Sequence, residues 1–263
     1  MSPFQAAVLG AIQGLTEFLP ISSSAHLYVV PTLLGWKYEG LAFDVALHWG
    51  TLIALLVAYG KDWLALFRDA LAGAPAERRA AWGWLSRIAV ACIPAVVAGL
   101  LLEDAASSML RSLPLQAAML AIFGFLLWGV DRIAPPGRDS DAPGWATCLI
   151  VGAAQALALV PGVSRSGITI TAGRAAGLSK VSAARLSFML ATPITFGAGV
   201  LEMRHLPHDL PWVPLAIGVV TAALVGLLAI RGLVQWLSRA GFAPFFLYRV
   251  ALAAFIMFRL ARP

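Results

Sequence analysis

Residues 4–19 and 25–35 form two apolar runs, and Pro20-Ile21-Ser22-Ser23-Ser24 breaks the chain between them. Each run is shorter than the roughly 20 residues a helix needs to cross a bilayer. A broken backbone at membrane depth is tolerated only where protein or a polar cavity surrounds it. The pattern therefore predicts a re-entrant helical hairpin. It also places Glu17, three serines and His26 at its tip, where ionisable groups are rare and usually functional.

A membrane is required for that reading, and the composition supplies one. The chain is 60% hydrophobic and only 12% charged, about half the charge of a soluble domain. Six longer apolar runs, about 41–60, 85–102, 114–130, 183–201, 212–230 and 243–260, read as full spans. Most of the nine Trp stand near span ends, as an aromatic belt does. The N-terminus lacks a basic n-region and an A-x-A site, so no signal peptide is expected. A net charge of +6 would suggest nucleic acid for a soluble protein, but here it fits Lys- and Arg-rich cytoplasmic loops, and no nucleic-acid partner is expected. Cys92 and Cys148 both fall in apolar segments and read as core residues.

A second pair of short apolar halves, 145–160 and 168–178, is broken by Pro161-Gly162-Val163-Ser164. It aligns with the first without a gap at an offset of 142: Gly10 falls on Gly152, Gln13 on Gln155, Ser22 on Ser164 and Ser24 on Ser166. The predicted fold is thus an all-α integral membrane protein, a single polytopic domain over 1–263. It holds internal repeats at about 1–131 and 145–263, each a re-entrant hairpin plus three spans. Three spans is an odd number, so the second repeat is inverted, and a site is expected at the midplane between the hairpins. Lys61, Arg68, Arg78, Arg79 and Arg87 mark the first inter-span connection as cytoplasmic. Counting from there puts the 102–113 loop (Glu103, Asp104, Arg111), the 202–211 loop and both termini outside, with Arg132, Arg138, Arg231 and Arg239 inside.

The candidate site residues are read against plainer roles. Ser22, Ser23 and Ser24 suit a helix cap, but three in a row exceed one cap, and a helix N-terminus also attracts anions. His26, about one turn after Ser23, can reach a serine hydroxyl or a bound phosphate. Glu17 needs a cation, a proton or a metal, and Gln13 lies one turn before it on the same face. Arg165 can hold phosphate oxygens bidentately or simply pair with Glu17. Gly162, Ser164 and Ser166 flank Arg165, while Thr169 reads either as a further hydroxyl or as an ordinary helix residue. Arg174, Lys180 and Arg185 are read at the cytoplasmic interface, Asp44 as a cap, and His48 as a packed histidine. Arg249 lies inside the last span with no partner legible, and His205 and His208 have only loose metal spacing.

Hydroxyls, an imidazole and a guanidinium at two half-helix starts suit phosphoryl transfer, with a serine nucleophile, a base and a cation on the developing charge. Glu17-Phe-Leu-Pro-Ile-Ser-Ser-Ser-Ala-His26 and Pro161-Gly-Val-Ser-Arg-Ser-Gly167 resemble the signature motifs of the bacterial undecaprenyl-diphosphate phosphatases. Ser187-Phe-Met-Leu-Ala-Thr-Pro193 and Tyr248-Arg249 extend the resemblance over nearly the whole chain. It implies dephosphorylation of undecaprenyl diphosphate to undecaprenyl phosphate in the bacterial plasma membrane, recycling the lipid carrier of cell-wall synthesis, and bacitracin resistance on overexpression. It implies Ser23 as nucleophile, His26 and Glu17 as catalytic groups and Arg165 on the phosphate. It also implies stimulation by Mg2+ or Ca2+, for which Glu17 is the candidate ligand; Gln13 in place of the motif's first acidic residue weakens a two-carboxylate metal site. No organic cofactor is expected, the active site is expected to open to the external side, and a homodimer is allowed. Phosphatidic-acid-type lipid phosphatases carry a His and an Asp after their Ser-Arg pair; the matching position here is Thr171 and no such His follows. The rival reading is a lipid flippase or secondary transporter, supported by the inverted repeat alone.

Overall fold

The computed structural model describes residues 1–37, 40–102, 112–202 and 212–261. The predicted hairpins form as two pairs of short helices. The first is α1 (Pro3–Phe18) and α2 (Ser23–Leu33); the second is α6 (Trp145–Gln155), extended by a 3-10 turn at Ala156–Leu159, and α7 (Arg165–Ala175). Six helices long and apolar enough to cross a membrane complete the described chain. They are α3 (Leu41–Ala72), α4 (Pro75–Leu101), α5 (Leu113–Ile133), α8 (Lys180–Glu202), α9 (Trp212–Leu237) and α10 (Ala243–Leu260). Each half thus runs short, short, long, long, long.

Local chemistry explains the hairpin boundaries. Pro3 opens α1 behind a reciprocal cap, in which Gln5 N–H donates to Ser2 Oγ (3.2 Å) and Ser2 N–H donates to Gln5 Oε1 (2.8 Å). Leu19 is extended (φ −68°, ψ 141°), as a residue before proline must be, and α1 stops there. α2 runs through Pro31 in its last turn rather than breaking at it. The inter-span connection from Lys61 to Arg87 consists of the helical ends of α3 and α4, which meet at Gly73-Ala74. With 32 residues, α3 spans about 48 Å against a hydrocarbon core of about 30 Å. The two helices therefore overhang the membrane and carry those charges in water.

The halves exchange partners. α1 packs on α9, while its counterpart α6 packs on α4; α7 packs on α5, and α2 meets α10 around Ala25, Val29, Ala253 and Ile256. The repeated glycines make this possible. A Cβ on Gly10 would stand 2.3 Å from the Gly218 carbonyl oxygen, and one on Gly152 would stand 2.3 Å from that of Ala91. Backbones that close tolerate only glycine. Outward, α4, α9 and α10 expose Val97, Leu224, Leu228, Phe255 and Phe258, surface suited to acyl chains.

One face of the molecule collects four of the connections. Arg87 Nη1 donates to the Pro143 carbonyl (2.7 Å), Arg185 pairs with Asp62 (3.6 Å) and Lys180 Nζ donates to the Ala240 carbonyl (3.3 Å). Arg174, expected at the interface, is buried there, bonded to Asp131 (3.1 Å) and the Leu178 carbonyl (2.6 Å). The charges Glu103, Asp104 and Arg111, and the pair His205 and His208, lie outside the described residues.

Candidate active site

The two hairpin tips touch. Ser22 and Ser164, 142 residues apart, hold the same unusual backbone at φ 75° and φ 74°. Non-glycine residues in this region are strained and persist only when their surroundings over-determine them. At Ser22 the surroundings are Gly162 N–H, which donates to its Oγ (3.2 Å), and the His26 ring, bonded to its carbonyl. Ser164 caps α7 by accepting from Gly167 N–H at 3.1 Å. Ser166, fully buried, donates to the Leu19 carbonyl (3.1 Å) and so ties the second hairpin to the first.

Arg249, without a partner in the sequence reading, locks this junction. Wholly buried in α10, it donates to the Pro20 carbonyl (3.1 Å) of one hairpin and to those of Gly162 (2.8 Å) and Val163 (3.1 Å) of the other. Its remaining bonds reach Leu120 (2.9 Å) and Met119 (3.2 Å) on α5. Five carbonyls thus take the place of a carboxylate for this guanidinium.

Glu17 stands at the centre of the polar cluster, in the last turn of α1 and 7% exposed. Its Oε1 accepts from Arg165 Nη2 at 2.8 Å. Its Oε2 accepts from Ser23 Oγ at 2.6 Å and from Gln13 Nε2 at 3.3 Å. His48 Nε2 lies 3.5 Å from the same Oε2, and its Nδ1 is bonded to the Asp44 carbonyl one turn back (2.7 Å). The structure therefore joins Glu17, Ser23, Arg165 and Gln13 as the sequence suggested. It adds His48, which the sequence suggests only as a packed histidine. The available signal was an ionisable residue inside a span, a functional hint in itself.

His26 takes a different place from the one its spacing suggested. Its Nδ1 donates to the Ser22 carbonyl (2.7 Å), and its Nε2 meets Tyr248 Oη at 2.6 Å, the two rings stacked at 5.6 Å. The imidazole is turned to Ser22 and Tyr248 while Ser23 is turned to Glu17. Thr169 also faces protein, its hydroxyl 2.7 Å from both the Arg165 carbonyl and Ser187 Oγ, as an ordinary helix residue would. Gly162 (φ 97°) serves the junction between the tips. Asp44 does not cap α3, whose N-cap is Gly40.

A cavity of about 470 Å³ opens beside this cluster. The hairpin tips and His48 give it Glu17, Ser22, Ser23, Ser24, Gln155, Ser164 and Arg165, while the far halves of α4 and α8 give apolar wall such as Val96, Leu100, Ile194 and Leu201. Ser23 is the first residue of α2, whose N-cap Ser22 turns its hydroxyl to Gly162 and makes no capping bond to the helix. The leading N–H groups of α2 thus have no side-chain cap, and a helix N-terminus attracts anions. A hydroxyl on a carboxylate, beside a guanidinium and an open helix N-terminus, is equipped for attack on a phosphoryl group. As for a divalent cation, no group of three His, Cys, Asp or Glu gathers among the described residues, and Glu17 is already engaged by protein donors on both oxygens.

Comparison with known proteins adds an independent line. A family model described as "Bacitracin resistance protein BacA" matches residues 6–255. A protein of Desulforudis audaxviator named undecaprenyl-diphosphatase is 45% identical over 253 residues, covering 96% of this chain and 95% of the relative. One of Pelotomaculum thermopropionicum with the same name is 45% identical over 265 residues, covering 100% and 98%. Another from Alcanivorax borkumensis, again with that name, is 43% identical over 267 residues, covering 99% and 100%.

Proposed function

This chain belongs to the family of the bacitracin resistance protein BacA, and from that membership we propose that it hydrolyses undecaprenyl diphosphate to undecaprenyl phosphate and inorganic phosphate. The observation that carries the mechanism is the 2.6 Å bond from Ser23 Oγ to a carboxylate held on its other oxygen by Arg165. Ser23 Oγ attacks the terminal phosphorus while its proton passes to Glu17 Oε2. The bond from that phosphorus to the bridging oxygen breaks, the departing lipid phosphate takes the proton, and a phosphoserine remains. Water then cleaves the phosphoserine, its proton passing through Glu17 back to Ser23. The free N–H groups of Arg165 and the N-terminus of α2 hold the charge on the equatorial oxygens. His26, bonded to the strained Ser22, acts in this scheme by fixing the turn that presents Ser23. The apolar wall from α4 and α8 receives the first isoprene units of the tail.

Rapid quenching with substrate labelled in the terminal phosphate tests this. Label trapped on Ser23 of the parent, and turnover lowered about 10³-fold or more in Ser23→Ala, is the expected result. Burst-free kinetics with no labelled serine would replace the nucleophile by water.

The cavity residues of α3 (Val45, His48) lie near its start, and those of α4 (Ala95 to Leu100) and α8 (Pro193 to Leu201) near their ends. All are therefore remote from the Lys- and Arg-bearing face. That face is cytoplasmic by the positive-inside rule, so the site opens to the outside of the bacterial plasma membrane and the two halves are inverted repeats. A reporter fused at the C-terminus should be active outside the cell; activity in the cytoplasm would overturn this orientation.

A further inference from the structure

The repeat leaves one polar side chain of the second hairpin without its counterpart's partner. In the first hairpin Gln13 donates to Glu17, four residues on. The equivalents in the second are Gln155 and Leu159, so the carboxylate is missing. The 3-10 turn from Ala156 to Leu159 also tightens the chain there. Gln155 is 2% exposed, and neither its Oε1 nor its Nε2 has a hydrogen-bond partner. Yet it lines the same cavity as Ser23 and Arg165. A buried amide left unpaired destabilises the protein unless something else fills its valences, and at the wall of a binding cavity that something is a ligand.

We propose that Gln155 is a head-group contact, donating through Nε2 to a phosphate oxygen of the lipid diphosphate. This rests on the phosphatase reading and deepens it. The residue adds a hydrogen bond without adding charge, which suits a cluster in which Arg165 is already offset by Glu17. With Leu159 where the first hairpin has Glu17, the second hairpin leaves this amide for the substrate.

The test compares Gln155→Leu with the parent, full-length in detergent, using a water-soluble short-chain prenyl diphosphate. KM should rise about ten-fold to a hundred-fold, the range for losing a hydrogen bond to a charged group, with kcat changed less. Thermal stability of the substrate-free variant should match or exceed the parent's, because the unpaired amide is gone. Gln155→Glu, which sets a carboxylate against phosphate, should bind still more weakly. An unchanged KM, or a raised KM accompanied by a lowered thermal midpoint, overturns the proposal in favour of a packing role. Binding of the same diphosphate to Ser23→Ala and to Ser23→Ala with Gln155→Leu separates the two readings. If the parent releases no phosphate but the double variant binds more weakly, hydrolysis falls and the contact stands. If phosphate is released and the two variants bind equally, the contact alone falls.

Discussion

At the first hairpin's turn Ser22 sits at φ 75°, and at the second's Ser164 sits at φ 74°; each leads into an 11-residue helix. The same backbone is then used for opposite ends. The first helix begins with Ser23 and has no side-chain cap, and the second begins with Arg165 and is capped by Ser164 on Gly167. Position by position, Glu17 faces Leu159 in the alignment, Ser23 faces Arg165 and His26 faces Ile168. One hairpin has no side-chain cap on its second helix and, in the proposed mechanism, supplies the nucleophilic hydroxyl and its carboxylate. The other caps its own N-terminus with Ser164 and, in the same mechanism, supplies the cation Arg165. The two turns match in backbone, and the proposed mechanism draws on the positions where their sequences differ.

The strongest way to break this comparison is to exchange the diverged residues. Glu17→Leu installs in the first hairpin what the second already has. It should lower turnover about 10³-fold or more, since both the acceptor for Ser23 and the partner of Arg165 disappear. Leu159→Glu, the reverse change, should not restore activity to that variant, because the second hairpin has Arg165 where Ser23 would be needed. Phosphate release from a prenyl diphosphate at equal expression reads both. Recovery in the double variant would mean that the hairpins are interchangeable and that the asymmetry described above is incidental.

Much of the scaffold was legible because its signals are local. Pro20 and Pro161 punctuate apolar runs too short to span, and six further runs are long enough, so hairpins and spans follow from run length and proline breaks. The overhang of α3 and α4 departs from the inter-span connection that its charges suggest, because helix propensity prevails there. Pro75 at the helix start, Glu77 Oε2 accepting from the Ala74 N–H (2.8 Å) and an Ala- and Arg-rich run make that stretch a helix. Long-range partners were not legible. Arg249 is satisfied by carbonyls, which every residue carries and no sequence pattern announces. His48 reaches Glu17 only because α3 passes the tip of α1, and His26 bonds Tyr248, 222 residues away, and the Ser22 carbonyl rather than the Ser23 hydroxyl.

A smaller effect should sharpen the symmetric side of the comparison. Gly10→Ala and Gly152→Ala each drive a methyl into a carbonyl oxygen of the opposite half, at equal built distance. Each should cost about 1–3 kcal/mol of stability, the usual range for overpacking, read as a fall in thermal midpoint in detergent. Similar losses would mark the two interfaces as equivalent. A large loss at Gly10 with none at Gly152 would mean that only the α1–α9 contact is tight and that the exchange of partners is lopsided.

The smallest effect concerns the residue on which the sequence and the structure differ most. If His26 works by fixing the Ser22 turn, its bond to Tyr248 is one support among several, and the ring keeps its bond to the Ser22 carbonyl when that hydroxyl is removed. Tyr248→Phe should then lower kcat by about two-fold to ten-fold, the equivalent of one neutral hydrogen bond, leaving KM nearly constant. His26→Ala also loses the Ser22 contact and should fall much further. A Tyr248→Phe loss as deep as that of His26→Ala would instead make the Tyr248–His26 pair a proton path, and would move the first hairpin's chemistry from Glu17 alone to both sides of the turn.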